Sequence, residues 1–321
     1  MVLHATEIAR RFDLGGAAQL SDGPVARGKQ GLVWRLETEQ GRWAVKLPLR
    51  RTTEAQARPA TEFHEKAWAA GVPTPQVRRT VDGTVFSDVR GRQVRVYEWV
   101  DLLPPDPHVD PELVGALVAH LHRVVIEADG PSDRWNHAPV GAARWDELVS
   151  SLSAAGAPFA GRLAALRDEL VALEAWLEPP GSLQTCHCDL WADNVLATAA
   201  GGLCVIDWDN SGPADPHHEL GCVLFEFARF DPGRARALVA AYRDAGGPAV
   251  VERHGHFTML IAQLGHITEI AACDWLEPNS RSPRREDSEA WISEVFDEPH
   301  SREALDSLLE AARQTGAPGG P

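Results

Sequence analysis

Alternating hydrophobic and polar positions in the first third of the chain predict antiparallel strands. The pattern marks four segments: GLVWRLET at 31–38, RWAVKLPLR at 42–50, TVFSDV at 84–89 and QVRVYEWV at 93–100. The turn Glu39-Gln40-Gly41 separates the first two segments, and Gly91 lies between the last two. Turn residues at these places are typical of hairpins, so the first third is expected to form an antiparallel sheet.

Apolar residues at helical spacing dominate the rest of the chain. They predict helices over 1–12, 54–70, 111–126 and 142–177, and again from about 218 onward. Gly71 is expected to end the second of these helices, and the proline-rich segment 101–111 suits a linker. A strand-rich part followed by a helix-rich part predicts an α+β fold with two lobes, residues 1–98 and residues 99–321.

Composition limits the partners of the chain. Hydrophobic residues make up 44% of its 321 residues, and no apolar run approaches the roughly 20 residues that a membrane-spanning helix needs. The 46 acidic against 31 basic residues give a formal net charge of −15, which argues against nucleic acid and membrane surfaces as partners and favours cations. The N-terminus lacks the features of a signal peptide, and five scattered cysteines indicate a cytoplasmic protein.

Lysine is rare, and its positions point to one candidate site. It occurs at positions 29, 46 and 66, so arginine supplies the other 28 of the 31 basic residues. Lys46 lies in the second arm of the first hairpin, and the first arm follows the glycine-bearing segment ARGKQG at 26–31. A compact strand ammonium facing such a turn can hold polyphosphate, while Gly28 and Gly31 let the backbone approach it.

A phosphate-binding lysine needs a carboxylate that holds its side chain in place. Glu62, on the helix predicted at 54–70, is the leading candidate, and Glu65 one turn on is the alternative. Taken alone, a strand lysine behind two glycines is also typical of a solvated surface. The interpretation therefore depends on residues further along the chain.

Polar residues interrupt the apolar stretch HCDLWADNV at 187–195. Asp189 and Asn194 lie five positions apart, and Asp207 follows the apolar run LCVI at 203–206. Phosphoryl transfer needs a group that orients the attacking hydroxyl, which Asp189 can supply. Asn194 and Asp207 offer the oxygen ligands that Mg²⁺ prefers. An Asx turn or a helix cap would explain one Asp–Asn pair, but not all of these residues in this order.

The order of these motifs resembles that of the aminoglycoside phosphotransferase family, whose relatives are the choline kinases and the protein kinases. The matched elements are the glycine loop, Lys46, Glu62, YEWV, HCDLWADN and VIDWD, followed by GPADP at 212–216. The resemblance covers nearly the whole chain. It implies a protein-kinase-like fold, in which an N-terminal lobe with a five-stranded antiparallel sheet and one helix precedes a larger helical lobe, with a cleft between them.

The resemblance also implies residue roles. The aspartate at the position of Asp189 accepts or orients the proton of the substrate hydroxyl, and the positions of Asn194 and Asp207 hold Mg²⁺. The nucleotide is ATP, with GTP as an alternative. The nucleotide contacts that the resemblance implies are Lys46 for the phosphates and the hinge residues Glu98 and Val100 for the purine.

Two departures from the family pattern bear on the acceptor. The position after the motif histidine, which is usually glycine, is Cys188, and Trp191-Ala192-Asp193 replaces the usual His-Pro-Gly before the asparagine. Neither change removes a reacting group. Trp191, beside the catalytic loop, and Asp209 are assigned to the binding of the acceptor.

Acidic residues are concentrated near the end of the chain. Between 269 and 310, twelve acidic residues stand against four arginines. In the family that the chain resembles, the last helices wall the acceptor pocket, and carboxylates there would bind amino groups. The candidates are Glu269, Asp274 and Glu277. The alternative interpretation is a solvated helical face whose acidity serves solubility.

These observations predict an enzyme that moves the γ-phosphoryl group of ATP to a hydroxyl of a small cationic molecule. An aminoglycoside or an amino sugar is the leading acceptor, as in antibiotic resistance. A neutral or metabolic alcohol, such as choline, homoserine, thioribose or a macrolide, would use the same residues. A nucleotide-binding pseudokinase is the non-enzymatic alternative, and the complete set of Lys46, Asp189, Asn194 and Asp207 argues against it. Zinc is disfavoured at Cys186-His187-Cys188, because three consecutive residues of one extended segment cannot close a tetrahedron.

Overall fold

The chain forms two compact units. The computed structural model describes residues 3–28, 31–278, 284–297 and 299–315, apart from the side chain of Glu294. The first unit comprises Met1–Asp106 with Asp193–Ser211, and the second comprises Pro107–Ala192 with Gly212–Pro321. The lobe boundary between residues 98 and 99 stays a prediction. Lys29, Arg281 and Glu298, which contribute to the sequence analysis, lie outside the described residues.

An antiparallel sheet forms the core of the first unit. Its strands in the described part of the chain are β1 (Gln19–Leu20), β2 (Ala26–Arg27), β3 (Gly31–Thr38), β4 (Gly41–Pro48), β5 (Val77–Arg78), β6 (Ser87–Val89) and β7 (Arg92–Glu98). The strand order is β1-β3-β4-β7-β5, while β2 pairs with β3 and β6 pairs with β7. The main path therefore has the predicted five strands, and two short strands extend the sheet to seven among the described residues.

Two helices accompany this sheet, α1 (Ala5–Arg11) and α2 (Glu54–Ala69). Helix α2 begins where Thr53 and Gln56 cap each other's backbone N–H groups, which supplies partners that a helix start otherwise lacks. Helix α1 buries Ile8 completely against a core that includes Trp34 and Val45. The predicted helices and hairpins of this region are thus present.

A second hairpin of the first unit carries two of the candidate site residues. It consists of β9 (Val195–Ala197) and β10 (Leu203–Val205). Gly201 and Gly202 turn the chain between these strands with φ angles of +93° and +79°, which glycine adopts without strain. A short 3₁₀ helix, Trp208–Asn210, follows β10.

The second unit is mainly helical. Its described helices are α3 (Pro111–His122), α4 (Ala142–Ala155), α5 (Ala160–Glu174), α6 (Pro216–Ala228), α7 (Pro232–Asp244), α8 (Thr258–Leu276), α9 (Arg285–Asp297) and α10 (Arg302–Gln314). Short 3₁₀ helices lie at Arg134–Asn136 and His254–Phe257, and β8 (Gln184–Cys186) pairs with β11 (Gly212–Ala214).

The span 142–177 forms two helices rather than the single helical span predicted. Helix α4 ends at Gly156, whose φ of +72° is left-handed, and such a residue terminates a helix. Both helices bury apolar side chains in one core, which includes Leu148 and Leu163 together with Trp275 of α8. No helix in the described ranges is both long and apolar enough to cross a membrane.

Candidate active site

Lys46 lies within β4, where the register of the sheet fixes its neighbours. It is opposite Val33 in β3 and opposite Arg95 in β7. Residues opposite each other in antiparallel strands project on the same face of the sheet, so Lys46 and Arg95 share a face. Lys46 is only 9% exposed. A cation this buried needs carboxylates around it.

Two carboxylates from the segment after β10 surround the Lys46 ammonium. Its Nζ atom donates to Oδ1 of Asp207 at 2.7 Å and to Oδ2 of Asp209 at 2.8 Å. Burial acts to lower the pKa of Lys46, but the two carboxylates outweigh burial and raise this pKa above its ordinary value. The ammonium therefore stays charged at physiological pH.

The structure corrects the predicted partner of this lysine. Glu62 is exposed on α2, and no contact joins it to Lys46 in the described part of the chain. The helix instead buries the neighbouring Thr61. Glu65, the alternative, accepts two hydrogen bonds from Arg79, at 2.7 and 2.8 Å. Only one side of an amphipathic helix packs against a sheet, and neither glutamate reaches Lys46 from α2.

Arg95 is a member of this site that the sequence analysis missed. It is 3% exposed, and its Nη1 atom donates to Oδ1 of Asp209 at 2.5 Å. Its Nη2 atom donates to Oγ1 of Thr61 at 3.2 Å, and its guanidinium lies over the rings of Tyr97 and Phe86. An arginine inside the apolar run VRVYEWV was the available signal, because a buried guanidinium requires partners.

The β9–β10 hairpin brings Asn194 beside Asp207. Val195 pairs with Val205, and just beyond this pair the backbone N–H of Ile206 donates to the carbonyl oxygen of Asn194 at 2.9 Å. Asp207 follows with a φ of +58°, in the left-handed region, so the chain turns sharply at this carboxylate. The hairpin thus brings together two candidate metal ligands that lie 13 positions apart in the sequence.

The donor set fits magnesium better than a soft metal. Asn194 and Asp207 offer a carboxamide oxygen and a carboxylate, both hard donors, and Mg²⁺ typically takes one or two protein oxygens plus phosphates and water. In the ranges that the structure describes, no group of three or more His, Cys, Asp or Glu side chains is arranged to hold a metal ion.

Asp189 lies in the second unit, in the loop after β8. The preceding residue, Cys188, has a φ of +62°. This left-handed conformation is one that glycine adopts without strain, which explains why glycine is usual at this position of the motif. The backbone N–H of Cys188 donates to Oε1 of Glu219 at 2.5 Å, and its carbonyl accepts from Nε2 of Gln263 at 2.9 Å. The peptide groups on either side of Cys188, immediately before Asp189, are thereby fixed.

Glu219 begins a chain of buried hydrogen bonds behind this loop. Its Oε2 atom lies 2.8 Å from Nε2 of His122, whose Nδ1 atom lies 2.8 Å from the hydroxyl of Tyr242. The Tyr242 hydroxyl accepts from the backbone N–H of Ala249, so its own proton is available for Nδ1 of His122. The imidazole then donates from Nε2 to Glu219. All three side chains are 1% exposed.

A model of the phosphotransferase enzyme family matches residues 23–254 of the chain. This span is more than half of the chain and contains Lys46, Asp189, Asn194 and Asp207. The chain belongs to the phosphotransferase enzyme family. The predictions of family and of enzyme class are therefore confirmed: the protein is a small-molecule phosphotransferase that acts on hydroxyl groups.

Solved structures share the fold of this phosphotransferase. A spectinomycin phosphotransferase in complex with ADP and spectinomycin matches with a TM-score of 0.63 at 14% identity, over 92% of each chain. An aminoglycoside phosphotransferase from Alicyclobacillus acidocaldarius matches with a TM-score of 0.62 at 18% identity, over 91% of this chain and 92% of its own. A choline/ethanolamine kinase family protein from Mesorhizobium loti matches with a TM-score of 0.55 at 21% identity, over 91% of this chain and 93% of its own.

These likenesses confirm the predicted α+β, protein-kinase-like fold class of the phosphotransferase. At identities between 14% and 21%, they describe the fold and leave the acceptor to be argued from the residues. No curated protein matches the chain in sequence.

The predicted acceptor carboxylates of the phosphotransferase have different local surroundings. Asp209 belongs to the first unit, where Lys46 and Arg95 bind both of its oxygens. Glu269, on α8, binds Nε of Arg144 at 2.7 Å, so its charge is balanced. Asp274 is 3% exposed, whereas Glu277 is exposed at the end of the same helix.

An aromatic pair that the sequence analysis missed lies near the loop of Asp189, with one ring on α8 and the other on the 3₁₀ helix Arg134–Asn136. Gln263 of α8 donates to the carbonyl of Cys188, and His266 one turn later shares its side of the helix. The His266 ring stacks on Trp135 with centroids 5.4 Å apart. Trp191, the predicted aromatic contact, is half-buried in the loop itself. These rings offer flat apolar surfaces in the unit that carries Asp189.

The nucleotide contacts expected at the glycine loop and at the hinge stay predictions. The backbone N–H of Gly28 donates to the carbonyl of Gly31 at 2.9 Å. A Cβ atom at Gly31 would lie 2.9 Å from the carbonyl oxygen of Leu47, so this strand pair requires a glycine here. Glu98 is exposed and Val100 half-buried at the end of β7.

Proposed function

We propose that this phosphotransferase moves the γ-phosphoryl group of ATP, or of GTP, to a hydroxyl of a small molecule that carries an amino group. The leading acceptors are aminoglycosides and amino sugars. The observation that carries the proposal is the group formed by Lys46, Asp207 and Asn194, in which a buried ammonium lies 2.7 Å from a carboxylate and the asparagine immediately precedes the paired strand β9. Phosphate needs a fixed cation, and the metal ion that accompanies it needs hard oxygen ligands.

The residues of the first unit would bind the nucleotide. Lys46 would hold the phosphates as a point charge, and the backbone at Gly28 and Gly31 would approach them. The backbone at Glu98 and Val100 would contact the purine. Asn194 and Asp207 would hold magnesium, which when bound neutralises the charge that develops on the transferred group.

Asp189 would orient the acceptor hydroxyl and accept its proton. Such a carboxylate acts through position, because phosphoryl transfer needs an aligned hydroxyl more than a strong base. Glu219 and Gln263 hold the peptide groups on either side of Cys188, immediately before Asp189. A loop fixed in this way loses little entropy when an acceptor binds.

Two observations support an amino-bearing acceptor. The structural neighbours include an amicoumacin kinase in complex with AMP-PNP, Ca²⁺ and its ligand Ami, and an aminopropanol kinase, besides the aminoglycoside enzymes. The net charge of −15 attracts cations to the chain. The stacked rings of Trp135 and His266 would supply a face against which a cationic ring or ammonium can lie.

A neutral or metabolic alcohol is the second candidate acceptor. One observation favours it: Arg144 binds Glu269 at 2.7 Å, so this carboxylate would have to exchange a guanidinium for an amine. Such an exchange would add little binding free energy, because the guanidinium and the amine both donate charge-assisted hydrogen bonds to the same carboxylate oxygen. Specificity would then come from the rings of Trp135, Trp191 and His266.

The experiment that tests the proposal is ADP release from ATP and Mg²⁺ with a panel of acceptors. The panel contains aminoglycosides, amino sugars, choline, homoserine, thioribose and a macrolide, and Asp189→Ala is the control. Release stimulated by aminoglycosides or amino sugars and abolished in the control would support the proposal. Release stimulated by choline, homoserine, thioribose or the macrolide would support the second candidate. Nucleotide binding without stimulated release would favour the pseudokinase.

A further inference from the structure

We infer that Asp209, held in place by Arg95, is the carboxylate that positions Lys46 for the nucleotide phosphates. The inference rests on the proposed function, since it concerns a lysine that is proposed to bind phosphate. Asp209 would hold the Lys46 side chain in place, which is the role that the sequence predicted for Glu62. Asp209 is therefore a positioning residue, which acts through Lys46.

Both carboxylate oxygens of Asp209 are bound by cations. Oδ2 accepts from Nζ of Lys46 at 2.8 Å, and Oδ1 accepts from Nη1 of Arg95 at 2.5 Å. Charge-assisted hydrogen bonds of this kind are among the strongest in proteins. An acceptor amine or a metal ion at Asp209 would have to share these oxygens with two cations. This arrangement replaces the acceptor role predicted for Asp209.

Arg95 can hold Asp209 because it is itself fixed. The guanidinium lies 5.0 Å from the ring centroid of Tyr97 and 5.4 Å from that of Phe86. Its Nη2 atom donates to Thr61 of α2, which links the helix to the sheet. In this chain α2 thus contributes a hydroxyl to the cation next to Lys46, instead of a carboxylate to Lys46 itself.

The backbone of Asp209 is fixed by its neighbour Trp208. The Trp208 indole donates to Oγ1 of Thr74 at 3.0 Å, and its ring stacks on His64 with centroids 4.7 Å apart and an interplanar angle of 6°. Trp208 is 3% exposed. A residue between a buried tryptophan and a buried arginine has little freedom to move. Asp209 is therefore a rigid partner for Lys46.

The two carboxylates that bind Lys46 can have different roles. Asp207 adjoins Asn194 through the β9–β10 hairpin and is the proposed metal ligand. Both oxygens of Asp209 are already bound by cations. Lys46 therefore keeps one fixed carboxylate partner whichever ligand Asp207 binds.

The test compares three variants of the full chain. Asp209→Asn removes the proposed partner, Glu62→Gln removes the partner expected from the sequence, and Asp88→Asn is a matched control. Asp88 also pairs with an arginine of the first unit, Arg51, at 2.7 Å, but its side chain is exposed. The measurements are the Kd of ADP by calorimetry in EDTA, the KM of ATP, kcat, and the Tm of each variant.

Asp209→Asn is expected to weaken metal-free ADP binding at least tenfold and to raise the KM of ATP by a similar factor. Glu62→Gln and Asp88→Asn are expected to stay within about twofold of the unsubstituted chain. If Asp209→Asn does not fold, the double variant Arg95→Met with Asp209→Asn takes its place. It removes the buried pair as a whole, which proteins tolerate better than the loss of one member.

Unchanged ADP affinity in folded Asp209→Asn, or in the double variant, would overturn the inference. A loss in Glu62→Gln as large as that in Asp209→Asn would overturn it too. Failure of the unsubstituted chain to bind ADP would overturn both the inference and the proposed function. ADP binding without any phosphorylated acceptor would count against the proposed function alone, because the affinities of the variants still decide the role of Asp209.

Discussion

The Oε1 atom of Glu219 accepts a hydrogen bond from the backbone N–H of Cys188, one residue before Asp189. The other oxygen of Glu219 is bound by His122, which in turn contacts Tyr242. A carboxylate on α6 thus ties the loop of Asp189 to α3 and α7. These side chains are buried, so each polar group depends on its partner in the chain.

Glu219→Ala is expected to lower both stability and turnover. It leaves the N–H of Cys188 and the imidazole of His122 without their buried acceptor, which costs about 3 kcal/mol of the free energy of unfolding. A displacement of about 1 Å at a catalytic group can reduce kcat about 100-fold. The measurements are kcat, the KM of ATP and urea denaturation. The KM of ATP should change little, because the nucleotide contacts lie on other residues.

Glu112→Ala is the control for Glu219, since Glu112 is an exposed glutamate at the start of α3. It should leave stability within about 0.5 kcal/mol of the unsubstituted chain. If Glu219→Ala, assayed below its Tm, keeps the kcat of the unsubstituted chain, Glu219 does not position Asp189.

The fold and the strand position of Lys46 could be predicted from local pattern. Alternation marks β3 and β4, and the turn residues between them fix which positions face each other, so Lys46 could be placed in a strand from sequence alone. The identity of the carboxylate that binds Lys46 could not be predicted in this way. Asp209 lies 163 positions away, and contacts at that distance depend on how the β9–β10 hairpin packs.

Glu219 illustrates the same limit in the second unit. Its partner Cys188 is 31 positions away, and nothing in the local sequence distinguishes a glutamate that binds a loop from one on a solvated face. The division of 142–177 into two helices was not predicted, although its cause is visible in the sequence. Gly156 interrupts the helical pattern, and its left-handed conformation ends α4.

Trp135→Ala is expected to raise the KM of the acceptor about 5- to 30-fold and to leave the KM of ATP within about twofold. Loss of an aromatic face removes about 1–2 kcal/mol of stacking or cation–π interaction, which corresponds to this factor. The measurement is initial rate against acceptor concentration at saturating ATP, with the acceptor that the panel identifies.

Trp176→Ala is the matched control, because Trp176 also stacks on a histidine of the second unit, His254, with centroids 4.0 Å apart. It should leave the KM of the acceptor unchanged. Equal effects of the two substitutions would show that Trp135 acts through stability, and the assignment of the ring pair to the acceptor would be wrong.

His300 should make the chain less stable as the pH falls. It is completely buried, neither ring nitrogen has a hydrogen-bond partner among the described residues, and burial lowers its pKa to about 4, against the opposing influence of Glu169. An unfolded histidine has a pKa of about 6.5, so the unfolded chain binds more protons between these values. Stability is therefore complete above about pH 6.5 and is lost as the pH falls towards 4.

The loss attributable to His300 is about 3 kcal/mol across this window, from a shift of roughly 2.5 pKa units. Urea denaturation at several pH values between 4.5 and 7.5 measures it. His300→Leu should flatten the dependence and be more stable than the unsubstituted chain at pH 5, whereas substitution of the exposed His108 should not. An unchanged pH dependence in His300→Leu would contradict this prediction.

The cysteine thiols should be nearly inert in the folded protein. Burial raises the pKa of Cys204 to about 12 and holds the pKa values of Cys186, Cys188 and Cys222 well above the usual range. The thiolate is the reactive form, so a thiol reagent at pH 8 should modify at most Cys273, which is partly exposed. Unfolding in guanidinium should release all five. Rapid reaction of a second thiol in the native chain, or of any thiol in Cys273→Ala, would contradict the buried positions.

Gly221→Ala should destabilise the second unit. A Cβ atom at Gly221 of α6 would lie 2.2 Å from the carbonyl oxygen of His256, and this neighbour is backbone that cannot rotate away. Overpacking of this kind costs about 1–3 kcal/mol or more.

Gly161→Ala in α5 is the matched control, because no atom lies within 4 Å of its added Cβ. There the same substitution should stabilise by about 0.5–1 kcal/mol, since alanine has the higher helix propensity. Guanidinium denaturation of both variants measures the two effects. If they have the same sign, α6 does not pack against the segment of His256 as closely as the structure has it.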